Sequence, residues 1–144
     1  MMARALSSET LHATSVAIDG RAVLLCGASG AGKSDLALRL IDRGAVLISD
    51  DYTLVQRVEG QLRATAPATI AGRLEVRGLG IMNMPHAAQA PVALLIDLFD
   101  TVDRMPLEPL HRALAGVQVP VTKIAPREPS APIKVELALR ALTA

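Results

Sequence analysis

The segment Gly27-Ala28-Ser29-Gly30-Ala31-Gly32-Lys33-Ser34 satisfies the pattern G-x-x-x-x-G-K-[ST] at each fixed position. A chain that carries this pattern must deliver the loop from a strand and leave it through a helix, so the motif constrains architecture as much as chemistry. The glycines let the backbone curl until several N–H groups point at one anion. Lys33 adds a cation for β and γ phosphates, and the Ser34 hydroxyl can ligate Mg²⁺. All eight residues from Gly27 to Ser34 are therefore candidate contacts for a nucleoside triphosphate such as ATP.

The flanks meet the requirement. Ala22-Val23-Leu24-Leu25-Cys26 reads as a short buried strand, and residues 35–43 read as a helix closed by Gly44, whose N-terminus faces the phosphates. Residues 15–19, with Gly20-Arg21 as a turn, form a hairpin with the loop strand. Residues 45–49 are a further apolar strand that reaches Asp50-Asp51, which completes a strand, loop, helix, strand unit. Residues 52–58 and 61–65, joined by Glu59-Gly60, read as an antiparallel hairpin. Leu74-Glu75-Val76-Arg77 alternates, 81–85 reads as loop, and 92–98 is the longest candidate for a fully buried strand. Pro120, Pro126, Pro129 and Pro132 punctuate a loop before an amphipathic closing helix at 133–142. The expectation is a single α/β domain over 1–144, with a mixed β-sheet flanked by helices and a phosphate loop.

Composition narrows the function. One Phe, one Tyr and no Trp leave no aromatic platforms for stacking bases, and a formal net charge of +1 gives no basic footprint for DNA or RNA. The lone Cys26 lies in an apolar strand and reads as a small buried hydrophobe. The N-terminal stretch mixes Arg4, Glu9 and His12 with small residues and has no signal-peptide core. No apolar run approaches the roughly 20 residues of a membrane span. A soluble cytoplasmic protein is expected, with no nucleic-acid or membrane partner.

A phosphate loop serves hydrolases, kinases and switches alike, so a carboxylate site must decide the reaction. Two candidates follow apolar runs: Asp50-Asp51 after Ile48, and Asp97 after Ile96. The phosphate loop and Asp50-Asp51 lie at the carboxyl ends of two strands joined by one helix, and should face one crevice. One carboxylate of the pair could hold Mg²⁺ while the other accepts a proton from an incoming hydroxyl. Asp97 has the look of a metal-holding Asp at a strand end, but Leu98-Phe99 continue the apolar run and leave it open whether Asp97 lies inside the strand.

The phosphate loop, then Leu38 through Gly44 leading to Ile48-Ser49-Asp50-Asp51, then Leu74-Glu75-Val76-Arg77-Gly78-Leu79-Gly80-Ile81, resembles the bacterial HPr kinase/phosphorylase family in its C-terminal catalytic domain. The last string is that family's signature, and the resemblance runs from about Leu11 to Ile124. It implies a phosphoenolpyruvate carboxykinase-like fold and an ATP- and Mg²⁺-dependent kinase acting on a serine of the phosphocarrier protein HPr within a phosphotransferase system. It also implies reversal by phosphorolysis with inorganic phosphate. By similarity, Asp50 is the base, Lys33 holds the β and γ phosphates, and Ser34 and Glu75 are Mg²⁺ ligands supported by Asp51. His12 matches a family histidine ahead of the loop strand, and Arg104 matches a family arginine that meets phosphate. His86 and His111 match nothing in the family.

There are departures. Family members carry an additional N-terminal domain, whereas this chain begins almost at the catalytic domain, so regulation through that domain is expected to be absent. Where the family has a Gly-Arg-Asn element that supports phosphorolysis, this chain has Ala125-Pro126-Arg127-Glu128-Pro129-Ser130-Ala131-Pro132. The change bears on two family properties, the phosphorolytic activity and the contacts of the homo-oligomeric hexamer. Two rival readings remain. A small-molecule kinase or other NTPase needs an arginine-rich lid, for which residues 98–132 offer Arg104, Arg112 and Arg127. A non-catalytic, nucleotide-responsive carrier-binding module would not need Lys33, Ser34 and Asp50 together.

Overall fold

Residues 7–106 and 108–142 are described in the computed structural model of the chain; Arg4 of the polar N-terminal stretch lies outside them. A short edge strand, β1 (Ser8–Leu11), precedes β2 (Ala13–Ile18), which turns through Asp19-Gly20 into β3 (Arg21–Cys26). Helix α1 (Lys33–Asp42) leaves the glycine-rich loop and is followed by β4 (Val46–Ser49). The hairpin β5 (Thr53–Val58) and β6 (Gln61–Thr65) turns at Glu59-Gly60 as expected, because both residues adopt positive φ. A second hairpin follows, β7 (Arg73–Val76) and β8 (Gly80–Asn83), then the long β9 (Ala90–Leu98), the pair β10 (Leu110–Leu114) and β11 (Val117–Ile124), and α2 (Ala131–Ala141).

Among the described residues the strands form a mixed nine-stranded sheet with the path β1-β5-β6-β9-β3-β2-β4, to which β11 adds beside β9 and β10 beside β11, plus the separate β7-β8 ribbon. β3 and β9 are parallel, as are β9 and β11, while β2 runs antiparallel to both β3 and β4. Consequently β3 and β4 point the same way with β2 between them, and α1 crosses over it.

The apolar period decides the layers. Leu36, Ala37 and Leu40 of α1 join Ala131, Val135 and Leu139 of α2 in one cluster with Val23, Leu25, Leu94 and Ile96, so both helices cover the same face of the sheet. The opposite face buries Leu24, Leu95 and Ile48 under Val55, Leu62, Leu114 and Val119, so strands rather than helices close it. Each fully buried aliphatic side chain contributes about 1.5–3 kcal/mol to this core.

Three expectations need correction. Residues 81–85 are not all loop: Gly80–Asn83 is a strand, because Gly78 and Gly80 at positive φ return the chain onto β7 with Glu75 opposite Ile81. Pro120 does not punctuate a loop but lies in β11, ahead of the stretch from Val121 that pairs with β9, where the strand has only β10 for a ladder partner. Pro132 belongs to the first turn of α2, where a missing N–H is harmless. The sheet is flanked by helices as expected, with α1 and α2 on the same face.

Candidate active site

The carboxyl ends of β3 and β4 and the start of β2 share one rim. The glycine-rich loop leaves β3 there, Asp50-Asp51 follow β4, and His12 precedes β2. The crevice expected between loop and carboxylates is a cleft of about 500 Å³ lined in part by Gly32, Lys33, Ser34, Asp51 and Glu75, with Ser29 and Gly30 at its loop side.

Asp50 sits beneath that cleft, 8% exposed. Its Oδ1 accepts from the Ser34 hydroxyl at 2.6 Å and from the Thr14 hydroxyl at 2.9 Å, and its Oδ2 accepts from the Glu75 backbone N–H at 2.9 Å. One carboxylate thereby ties α1, β2 and β7 together, and a buried charge is stabilised by three donors. The Thr14 oxygen in turn accepts from the Asp51 backbone N–H at 3.1 Å. Thr14 thus connects the two acidic residues.

Asp51 has φ of +68°, a left-handed conformation that aspartate tolerates better than most side chains. The twist sends the two neighbouring carboxylates apart: Asp50 stays under the loop helix, whereas Asp51 faces the cleft with its side chain 57% exposed. His12 Nε2 lies 2.8 Å from Asp51 Oδ1, and the His12 ring stacks on Tyr52 with centroids 5.2 Å apart. Glu75 lines the same cleft because Leu74, its inward-facing neighbour on β7, is fully buried against α1.

Lys33 is the first residue of α1, and its ammonium donates to the carbonyls of Gly27 at 2.8 Å and Ala28 at 3.0 Å. The ammonium is therefore held inside the curl of the loop. Gly27 admits no side chain, since a Cβ there would stand 2.9 Å from Ala31 Cβ and 3.3 Å from Leu98 Cβ. Among the described residues no three His, Cys, Asp or Glu side chains gather as a metal cluster. Ser34, Asp51 and Glu75 open on the cleft together with Ser29 and Asp35, and hydroxyl and carboxylate oxygens of this kind suit Mg²⁺, which keeps several waters and takes only one or two carboxylates beside substrate phosphates.

Asp97 lies inside β9, paired with Cys26 on one side and Lys123 on the other. It shares the strand-covered face with Leu95, opposite α1, and accepts a hydrogen bond from Arg112 at 2.9 Å. It is not at the cleft. Cys26 beside it has its thiol pushed up to about 11, chiefly by burial, with Arg112 pulling the other way. Arg104 occupies an exposed bend after β9, and the fold does not bring it among the cleft-lining residues. His86 and His111 are exposed and stand away from the cleft.

Thr14, Arg39 and Arg77, at or beside the cleft, drew no role from the sequence, whereas Arg127 was a candidate only for an arginine-rich lid. Thr14 is two residues beyond His12, but its function as a bridge exists only once β2 and β4 pair. Arg77 lines the cleft from the end of β7, and Arg39 with Arg127 does so from the other side. The signature string already contained Arg77.

A family model described as HPr Serine kinase C-terminal domain matches residues 4–138. The HPr kinase/phosphorylase of Clostridium tetani is 36% identical over 132 residues, covering 83% of this chain and 43% of the relative. That of Clostridium novyi is 44% identical over 81 residues, covering 56% of this chain and 26% of the relative. The solved structure of the Hpr(Ser) kinase/phosphatase from Coxiella burnetii matches with a TM-score of 0.79 at 30% identity, covering 92% of this chain and 89% of that one. The chain spans less than half the length of these curated relatives. No helix among the described residues is long and apolar enough to cross a membrane.

Proposed function

The chain belongs to the HPr serine kinase C-terminal domain family, and from that membership we propose that it transfers the γ-phosphoryl group of ATP to a serine hydroxyl of an HPr-type phosphocarrier protein. The observation that carries this reading is the opening of Lys33, Ser34, Asp51 and Glu75 onto one cleft. The loop from Gly27 to Ser34 acts as the phosphate cradle, with the start of α1 behind it. Lys33 moves from the Gly27 and Ala28 carbonyls to the β and γ phosphates when nucleotide enters.

Asp51, rather than Asp50, takes the serine proton. The oxygens of Asp50 already accept three hydrogen bonds, whereas Asp51 opens on the cleft with His12 behind it. As the serine oxygen forms its bond to the γ-phosphorus and the bond to the ADP oxygen breaks, the proton passes to the Asp51 carboxylate. His12 holds that carboxylate in place, and Asp50 holds Ser34. In the reverse, phosphorolytic direction the same Asp51 carboxyl returns the proton to serine. Ser34 and Glu75 would hold Mg²⁺, with Asp51 close by. When bound, the ion draws negative charge from the phosphates.

The test is incubation with ATP, Mg²⁺ and HPr-type carriers, read by intact mass of the carrier. Gain of one phosphoryl group on a serine is expected. A carrier that stays unmodified while the chain binds ATP would favour the carrier-binding module over the kinase.

A further inference from the structure

The turn after β11 is fastened to α1 by one side chain. Arg39 Nη1 donates to the Glu128 carbonyl at 3.2 Å and Nη2 donates to the Pro126 carbonyl, while Nε donates to Asp35 at 3.1 Å. The two carbonyls flank Arg127. Pro126 also lies on the glycine-rich loop, since a Cβ on Gly32 would stand 3.5 Å from the Pro126 ring. The Glu128 carboxylate is drawn aside by Lys134 at 2.5 Å, and the Glu128 carbonyl also accepts the Ala131 N–H at 3.0 Å. Backbone and neighbours of the turn are thus committed. The Arg127 side chain has no partner among the described residues and lines the cleft beside Lys33 and Ser34.

We infer that Arg127 is a phosphate-binding cation of the nucleotide cleft and that Arg39 is the positioning residue that presents it. The inference rests on the kinase reading above and adds to it a cation delivered by the chain segment that follows β11. The geometry suits an anion. A guanidinium at the mouth of a cleft already holding Lys33 gains a charge-assisted hydrogen bond from a polyphosphate, but little from an uncharged nucleoside. Arg39 can make its three contacts because a guanidinium offers donors in a planar fork; a lysine cannot span two carbonyls and a carboxylate.

The experiment measures affinity for ATP and for adenosine in the parent, R127A, R39K and the R39K/R127A pair, with thermal melts alongside. R127A should weaken ATP about tenfold, the effect of one charged hydrogen bond, while adenosine affinity and the melting temperature stay within error. R39K should lose a comparable factor for ATP, and the double variant should lose no more than R127A alone, because both changes remove the same contact. If R127A binds ATP like the parent, or if the two losses multiply, the inference is overturned while the kinase reading stands. If R39K lowers only the melting temperature, Arg39 is structural and its positioning role falls. A parent chain that binds no ATP overturns both readings together.

Discussion

His12 Nε2 meets Asp51 Oδ1 at 2.8 Å across the 39 residues that separate them, and the contact puts a histidine behind the carboxylate that faces the cleft. A carboxylate held this way has a fixed direction, and the stacking of His12 on Tyr52 limits the ring's freedom further.

D51N keeps the shape of the side chain and removes its basicity. Carrier phosphorylation should fall by roughly 10²-fold or more with ATP affinity nearly unchanged, as loss of a general base requires. H12A should cost less, roughly tenfold, since it releases the base without removing it. Transfer at the parent rate by D51N would return the role to Asp50.

D50N should act on the fold as well as on the rate. The amide oxygen can still accept from the Glu75 N–H, but the amide nitrogen then faces the Ser34 and Thr14 hydroxyls, which must turn from donating to accepting, and the charge assistance of all three bonds is lost. Exchanging charged for neutral hydrogen bonds at this buried position costs about 1–3 kcal/mol. The variant should melt several degrees below the parent by calorimetry; an unchanged melt with a large loss of rate would identify Asp50 as the base instead.

The different surroundings of Asp50 and Asp51 show where the sequence stops being informative. Strand, loop and helix around Gly27 to Ser34 are encoded locally, by an apolar run, glycines and a helical period, and the Glu59-Gly60 hairpin is equally local. Two adjacent aspartates are chemically identical in a string of letters. What separates them is the φ of +68° at Asp51 and the arrival of Thr14, Ser34 and Glu75 from three other elements. The strands β10 and β11 were hidden for another reason. β10 is exposed except at Leu114, so it has no apolar alternation to read, and Pro120 in β11 mimics a loop. Asp97 could be placed only when Arg112 and the strand-covered face were known.

Glu75 is exposed on the cleft while its own backbone N–H is spent on Asp50. E75Q should therefore fold like the parent and shift only the metal requirement. A neutral amide is a poorer ligand for a hard cation, so the Mg²⁺ concentration for half-maximal phosphorylation should rise several-fold. An unchanged Mg²⁺ titration would remove Glu75 from the metal site.

Cys26 gives a pH dependence with a definite sign. Burial raises its thiol from the ordinary 9.0 to about 11, so the folded chain retains the proton that the unfolded chain has lost over that interval. The stabilising contribution is complete below about pH 9 and disappears as pH climbs through about 11. The parent minus C26A difference in unfolding free energy should shrink across this window. A constant difference would mean that the thiol ionises alike in both states. Alkylation of the folded chain at neutral pH should be slow for the same reason.

Lys33 is 6% exposed and bound to the Gly27 and Ala28 carbonyls, so its ammonium closes the loop on itself. Phosphate oxygens must draw the ammonium off those carbonyls, and a charge-assisted bond to phosphate is the stronger of the two. K33M retains the apolar stem and removes the charge. It should weaken ATP at least about tenfold and abolish carrier phosphorylation, while the two released carbonyls turn to water at the cleft and cost the fold about 1 kcal/mol. Calorimetric titration with ATP and a thermal melt separate these effects. Parent-like ATP affinity in K33M would show that the ammonium never leaves the loop, and the cradle reading of residues 27–34 would fall with it.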